Sequence, residues 1–196
     1  LIQINILIHA PWIVTIKPAI TVFEKHAIAI HDGKILDILP SAEATKKYSS
    51  KTVSALEHHA LLPGFINAHT HAAMSLFRGL ADDLPLMEWL NEHIWPAESK
   101  WVDEQFVRDG TRHSIAEMIR SGTTCFNDMY FFPDQTAEIA IEAGIRACIG
   151  LILIDFPTAW ASDPQNYIEK GLNVHDKFKH SPLITTAFAP HAPYTV

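Results

Sequence analysis

The sequence predicts an α/β chain: the first half of an eight-stranded (β/α)8 barrel, preceded by a small β portion. Three observations carry this. Residues 1–60 read mostly as strands and turns. From residue 61, four apolar runs near 62–68, 123–128, 145–153 and 183–189 alternate with segments bearing helix start and stop signals. Polar residues collect where those runs end: His69 and His71, Asp128, and His191. Apolar strands separated by helices make parallel βαβ units. Four such units form half a barrel or most of an open doubly wound sheet. No Gly-rich phosphate loop follows the first strand, and barrel enzymes carry their chemistry at the C-terminal ends of strands. The half-barrel is therefore preferred. A closed barrel needs four more units, so the chain is read as the N-terminal part of a longer protein, with domains at 1–60 and 61–196.

The elements follow in order. "IQINILI" alternates polar and apolar residues, a strand of period two. "AIAIHDGKILDIL" is a hairpin with its turn at Asp32-Gly33. Ser41 caps a short helix through Lys47. These strands predict a small sheet or half-sandwich without catalytic residues. An apolar strand from Leu61 to Ala68, interrupted by Pro63-Gly64, meets His69. The connection from Ala72 to Val102 is long for a βα loop, a length typical of lids and binding loops. It holds a predicted helix, Leu84 to His93, capped by Asp83, with Leu86, Trp89 and Leu90 available for packing. Met74, Phe77 and Trp95 are candidates for an apolar ligand wall, or equally for loop core. Asp103 then caps a helix from Glu104 to Ser121, with Gly122 at its C′ position. The strand "TTCFNDM", a helix from Asp134 to Ala143 closed by Gly144, and the strand "IRACIGLILI" come next. A helix from Asn166 to Phe178 leads to "LITTAFA", which ends at Pro190-His191.

Composition narrows the function classes. The 196 residues are 48% hydrophobic and 19% charged, as in a globular chain. A net charge of -7 without a Lys/Arg cluster excludes a basic nucleic-acid footprint and disfavours a membrane surface. Cys125 and Cys148 form no CxxC pair and read as buried thiols of a reducing, cytoplasmic compartment. No apolar stretch is long enough to span a bilayer. The first residues lack a basic n-region and a cleavage site, so they are not read as a signal peptide. The missing initiator Met hints at trimming. Of the 12 histidines, only His69, His71, His93 and His191 stand where chemistry is expected, and His93 is read as structural.

In a regular strand, residues i and i+2 share a face. His69 and His71 therefore project together, and two imidazoles so placed can each reach one metal at about 2.0–2.1 Å. Catalytic zinc usually takes three protein ligands and keeps an open position, so His-x-His is half of a site.

Here the sequence becomes specific. "LPGFINAHTHAAMSLFRGLADDLPLMEWLNEHIWPAE", "SGTTCFNDMYFFP", "AGIRACIG" and "APHAPYTV" resemble, in that order, blocks of the amidohydrolase superfamily. Within it they resemble the cytosine/guanine-deaminase-like branch, and most closely the 5′-methylthioadenosine/S-adenosylhomocysteine deaminases. The resemblance implies a metal-bearing (β/α)8 barrel beside a β-sandwich built from both chain ends. It implies that His69 and His71 are first-strand metal ligands, for Zn2+. Glu98 in "WPAE" matches the glutamate that binds the ribose hydroxyls, a task that suits two acceptor oxygens. His191 in "PHAPY" matches a substrate-contacting histidine. The other metal ligands and the proton-shuttle glutamate of the family have no counterpart in these residues. Some members hold the amino-acid carboxylate with arginines, whereas "GLILIDFP" offers Leu151 and Asp155. The implied activity is hydrolytic deamination of an adenosine thioether by the full-length protein, on a small-molecule nucleoside, with homo-oligomerisation left open. Guanine or cytosine deaminase, a triazine hydrolase, and a non-catalytic fragment are the alternatives.

Overall fold

The computed structural model describes residues 1–16 and 18–196. The chain divides into two compact units, Leu1–Pro63 and Gly64–Val196.

The first unit is one five-stranded sheet. Strands β1 (Ile2–Thr15), β2 (Thr21–His31), β3 (Lys34–Pro40) and β4 (Tyr48–Ala55) take the order β3-β2-β1-β4, and the short β5 (Ala60–Leu61) also pairs with β1. The hairpin β2–β3 turns at Asp32-Gly33, both with positive φ, where Gly33 carries no steric cost. Burial in β1 does not follow period two. Ile4, Leu7, Ala10 and Ile13 are buried, every third residue. β1 lies between β2 and β4–β5 in the sheet, and its buried residues fall at both even and odd positions, so burial is not confined to one alternating set. Helix α1 (Ser41–Lys47) places Ala44 in the cluster with Ile4, Leu7 and Tyr48. Ser41 does not cap it. Pro40 holds the N-cap position without a side-chain bond, and Ser41 is the first helical residue.

The second unit is a four-stranded parallel sheet, ordered β6-β7-β8-β9. Its strands are β6 (Phe65–Thr70), β7 (Thr123–Met129), β8 (Arg146–Leu153) and β9 (Ile184–Pro190). The run expected at 61–68 is split. Leu61 closes β5, and β6 starts only after Pro63 and Gly64. Pro63 has no N–H for a ladder, and a Cβ on Gly64 would lie 2.1 Å from the Thr124 side chain. Helices α4 (Glu104–Arg120), α5 (Pro133–Ala143) and α6 (Pro164–Phe178) connect the strands. Asp103 caps α4 by accepting from Phe106 N, and Gly144 ends α5 in the left-handed region, both as the sequence predicts. The core is built from β7, β8 and the inner faces of these helices, with Val107, Ile115, Phe126, Ile139 and Ile149 nearly inaccessible. Among the described residues, no helix is long and apolar enough to cross a membrane.

The 72–102 connection is mostly helical. A 3-10 turn (Ala72–Phe77) follows His71 directly. A continuous helical rod runs from α2 (Leu86–Glu88) through a π-helical stretch (Trp89–Ile94) into α3 (Trp95–Trp101). The helix predicted at 84–93 thus begins later and runs further. Pro85 occupies its N-cap without a side-chain bond, and Asp83, at φ 61°, lies outside it.

Candidate metal and substrate site

All four parallel strands deliver their C-terminal ends to one edge of the sheet, because the register places Thr70 beside Asp128, Met129 beside Gly150, and Leu153 beside Pro190. The predicted site residues emerge there.

His69 and His71 come together, with ring centroids 4.9 Å apart and planes at 83°. Period two alone does not place them. From Asn67 to Thr70 the strand takes three steps while its partner takes two, Phe126 to Asp128, so β6 bulges at Ala68-His69. His71 lies just past the end of the strand. Bulges re-aim side chains beside sites, and here the convergence depends on one.

His71 is oriented from behind. Its Nδ1 lies 2.6 Å from the carbonyl oxygen of Met129. A carbonyl only accepts, so Nδ1 carries the proton and Nε2 presents its lone pair. That is how metal-ligating histidines are held by their outer partners. The next residue is held as well: Ala72 N donates to Asp128 Oδ1 at 2.6 Å. Asp128 is buried, and burial pushes its carboxyl up to about 7, against the pull of the Ala72 N–H. His69 is exposed, and its ring has no hydrogen-bond partner among the described residues. Among those residues, no three of His, Cys, Asp and Glu gather into a metal site. The donor set therefore fits half of a zinc site: two imidazoles, one with its tautomer fixed for ligation.

A cavity of about 290 Å³ opens beside this edge, and His71, Glu98 and His191 all line it. His69 does not. Glu98 arrives on α3, where its Oε1 accepts from the Tyr130 hydroxyl at 2.8 Å. Burial raises the Glu98 carboxyl above its ordinary range, and the Tyr130 hydrogen bond opposes this. The Tyr130 phenol is raised by burial and by the neighbouring Glu98. His191 follows β9, its N–H donating to Leu153 O at 3.1 Å. Its Nδ1 lies 2.9 Å from Thr195 Oγ1, whose only hydrogen goes to Ala192 O at 3.1 Å. Nδ1 therefore donates, and Nε2 is left without a partner among the described residues. Burial, and then the nearby His71, lower its pKa.

The remaining wall is mostly apolar, with Ser99 and Thr158 among its polar members. Trp89, Leu90 and Ile94, all from the π-helical stretch, line the cavity. Met74 and Trp95 line it as candidates from the sequence. Phe77 does not; its ring packs on Phe106 at 4.7 Å in the core. His93 also stays outside the lining. Sequence reading missed Tyr130, Phe156, Tyr194 and Thr195. A tyrosine two residues past the strand-end Asp128 was the available signal for the first. The turn after Tyr130 is strained: Phe132 has φ 50°, uncommon for a bulky residue, and its carbonyl accepts from Gln135 N at 2.9 Å.

Residues 60–196 match the amidohydrolase family. This chain belongs to that family. It is 53% identical over 192 residues to a 5-methylthioadenosine/S-adenosylhomocysteine deaminase of Saccharophagus degradans, covering 98% of this chain and 43% of that protein. A protein of the same name from Teredinibacter turnerae is 46% identical, with 95% and 42% covered. The fold superposes on a zinc-bound adenosine deaminase structure from Xanthomonas campestris with TM-score 0.97 and 48% identity, covering 100% of this chain and 44% of that one. The chain thus spans less than half the length of these relatives.

Proposed function

We propose that the full-length protein carrying this chain hydrolytically deaminates the adenine ring of 5′-methylthioadenosine, S-adenosylhomocysteine or both, releasing ammonia. The observation that carries this reading is the meeting of His71, Glu98 and His191 on one cavity whose other walls are mostly apolar and aromatic. The names of the relatives supply the substrate class.

In this reading, residues 61–196 are the first four βα units of a (β/α)8 barrel, and residues 1–60 contribute to a β-sandwich. His69 and His71 hold one side of a divalent metal, with zinc favoured by the imidazole donors and by the zinc-bound relative. Bound there, the cation supplies an activated water at neutral pH. The residues of this chain do the rest of what falls to this half. The Met129 carbonyl keeps the His71 lone pair aimed outward. Glu98 accepts the two vicinal ribose O–H donors. His191 offers an acceptor nitrogen while neutral, the form its lowered pKa favours. Trp89, Ile94 and Phe156 exclude water around the base and the thioether.

The test is ammonia release by the zinc-loaded full-length protein from 5′-methylthioadenosine, S-adenosylhomocysteine and guanine, with chloride release from a chlorotriazine measured alongside. Turnover of either adenosine thioether supports the proposal. Turnover only of guanine or the triazine overturns it in favour of a sister activity.

A further inference from the structure

The strand end Asp128-Met129-Tyr130 reaches three separate parts of the site with three successive residues. The Asp128 carboxylate takes the Ala72 N–H, the Met129 carbonyl takes the His71 imidazole, and the Tyr130 hydroxyl holds Glu98. The first two act on the metal side. The third acts on a carboxylate from a helix 32 positions away in sequence.

We propose that Tyr130 is a positioning residue for Glu98, fixing one carboxylate oxygen so that the other is presented to the ribose hydroxyls of the substrate. The role assigned to Glu98 belongs to the function proposed above, and this inference rests on it. The geometry supports a device rather than incidental packing. Tyr130 is 4% exposed, and its hydroxyl has Glu98 as its sole partner among the described residues. Among the described residues, Glu98 Oε1 has Tyr130 as its only donor, and Oε2 has none, although Glu98 lines the cavity. A free carboxylate on a helix turns about its terminal torsions. A phenol donating to one oxygen leaves one orientation. Because Tyr130 follows Met129, the same strand end sets the spacing between His71 and Glu98, and so between reacting ring and ribose anchor. A misplacement of about 1 Å in such an anchor can cost about a hundredfold in rate.

The experiment uses the zinc-loaded full-length protein with 5′-methylthioadenosine and its 2′,3′-dideoxy counterpart. Tyr130→Phe keeps the ring and removes only the hydroxyl, and circular dichroism with thermal unfolding confirms that it folds. The wild type is expected to favour the diol substrate in kcat/KM. In Tyr130→Phe, kcat/KM for the diol substrate is expected to fall about ten- to hundredfold, while the dideoxy substrate changes less than threefold. The preference therefore shrinks. In a Glu98→Ala background, which removes the oxygen that Tyr130 holds, adding Tyr130→Phe should cost nothing further, since coupled residues are not additive. Equal losses on both substrates, or additive losses in the double variant, overturn the proposal and leave Glu98 as the ribose anchor. A wild type indifferent to the hydroxyls overturns the Glu98 reading itself, and this inference with it.

Discussion

Gly110→Ala pits two effects against each other, and the structure decides between them. Gly110 lies inside α4, where alanine is favoured over glycine by about 1 kcal/mol on helix propensity. Propensity alone therefore predicts stabilisation. A Cβ at this position, however, would lie 2.4 Å from Ala73 O, 2.8 Å from Ala73 Cα and 3.0 Å from Ala73 C. All three are backbone atoms, so no side chain can swing aside. Relief to an ordinary contact of about 3.4 Å requires α4 and the turn after His71 to part by roughly 1 Å. Over-packing of this kind costs about 1–3 kcal/mol, and rigid backbone on both sides puts it at the upper end. The net expectation is a loss of about 2 kcal/mol, or about 4–8 °C in Tm for a chain of this size. The effect reaches the site, because Ser75 Oγ donates to Gly110 O at 3.0 Å and Met74 N to His71 O at 2.9 Å. Thermal unfolding followed by circular dichroism measures it. A variant as stable as the wild type, or more stable, would refute the close approach as a constraint.

Phe126, with no exposed surface, fills the core between β7 and its neighbours; Phe126→Ala should cost about 3–5 kcal/mol, read as a lower urea midpoint. Asp103→Ala removes the N-cap bond to Phe106 N at 2.7 Å and should cost about 1 kcal/mol, whereas Asp103→Asn should retain most of it. Glu138 is held below the usual carboxylate range, first by Lys177 and then by Arg108. A depressed folded-state pKa gives stability that is present above the unfolded value and lost as pH falls through the folded one. Stability should therefore decline on acidification below about pH 4.5, and Glu138→Gln should flatten part of that decline. Lys177 is half-exposed and Glu138 a third exposed, so solvent screening keeps the share under about 1 kcal/mol, measured by urea titrations at several pH values.

Local signals that agree with one another were readable. The four strands, the Asp103 cap and the Gly144 stop follow from apolar runs and capping chemistry, and each element needs only its own residues. His69, His71, Glu98 and His191 were legible because the motifs around them resemble a family. The rest depends on tertiary placement. The β6 bulge exists only against β7, so the period-two argument brought the two histidines together by an incomplete route. Tyr130 gains its role from a helix that crosses its strand end, a contact no window of sequence contains. Phe77 and Met74 are both apolar candidates in sequence and both pack against the core, but only Met74 also reaches the cavity, while Phe77 packs on Phe106 of α4. Ser41 and Asp83 carried capping chemistry, but the chain turns one residue earlier at Pro40 and two later at Pro85.

Zinc bound by the full-length protein, counted after equilibrium dialysis in wild type, His69→Ala, His71→Ala and Glu98→Ala, addresses the chemistry assigned to this strand end. The expected result is tightly held zinc in the wild type and in Glu98→Ala, with loss in both histidine variants. Zinc retained undiminished without His69 and His71 would contradict it.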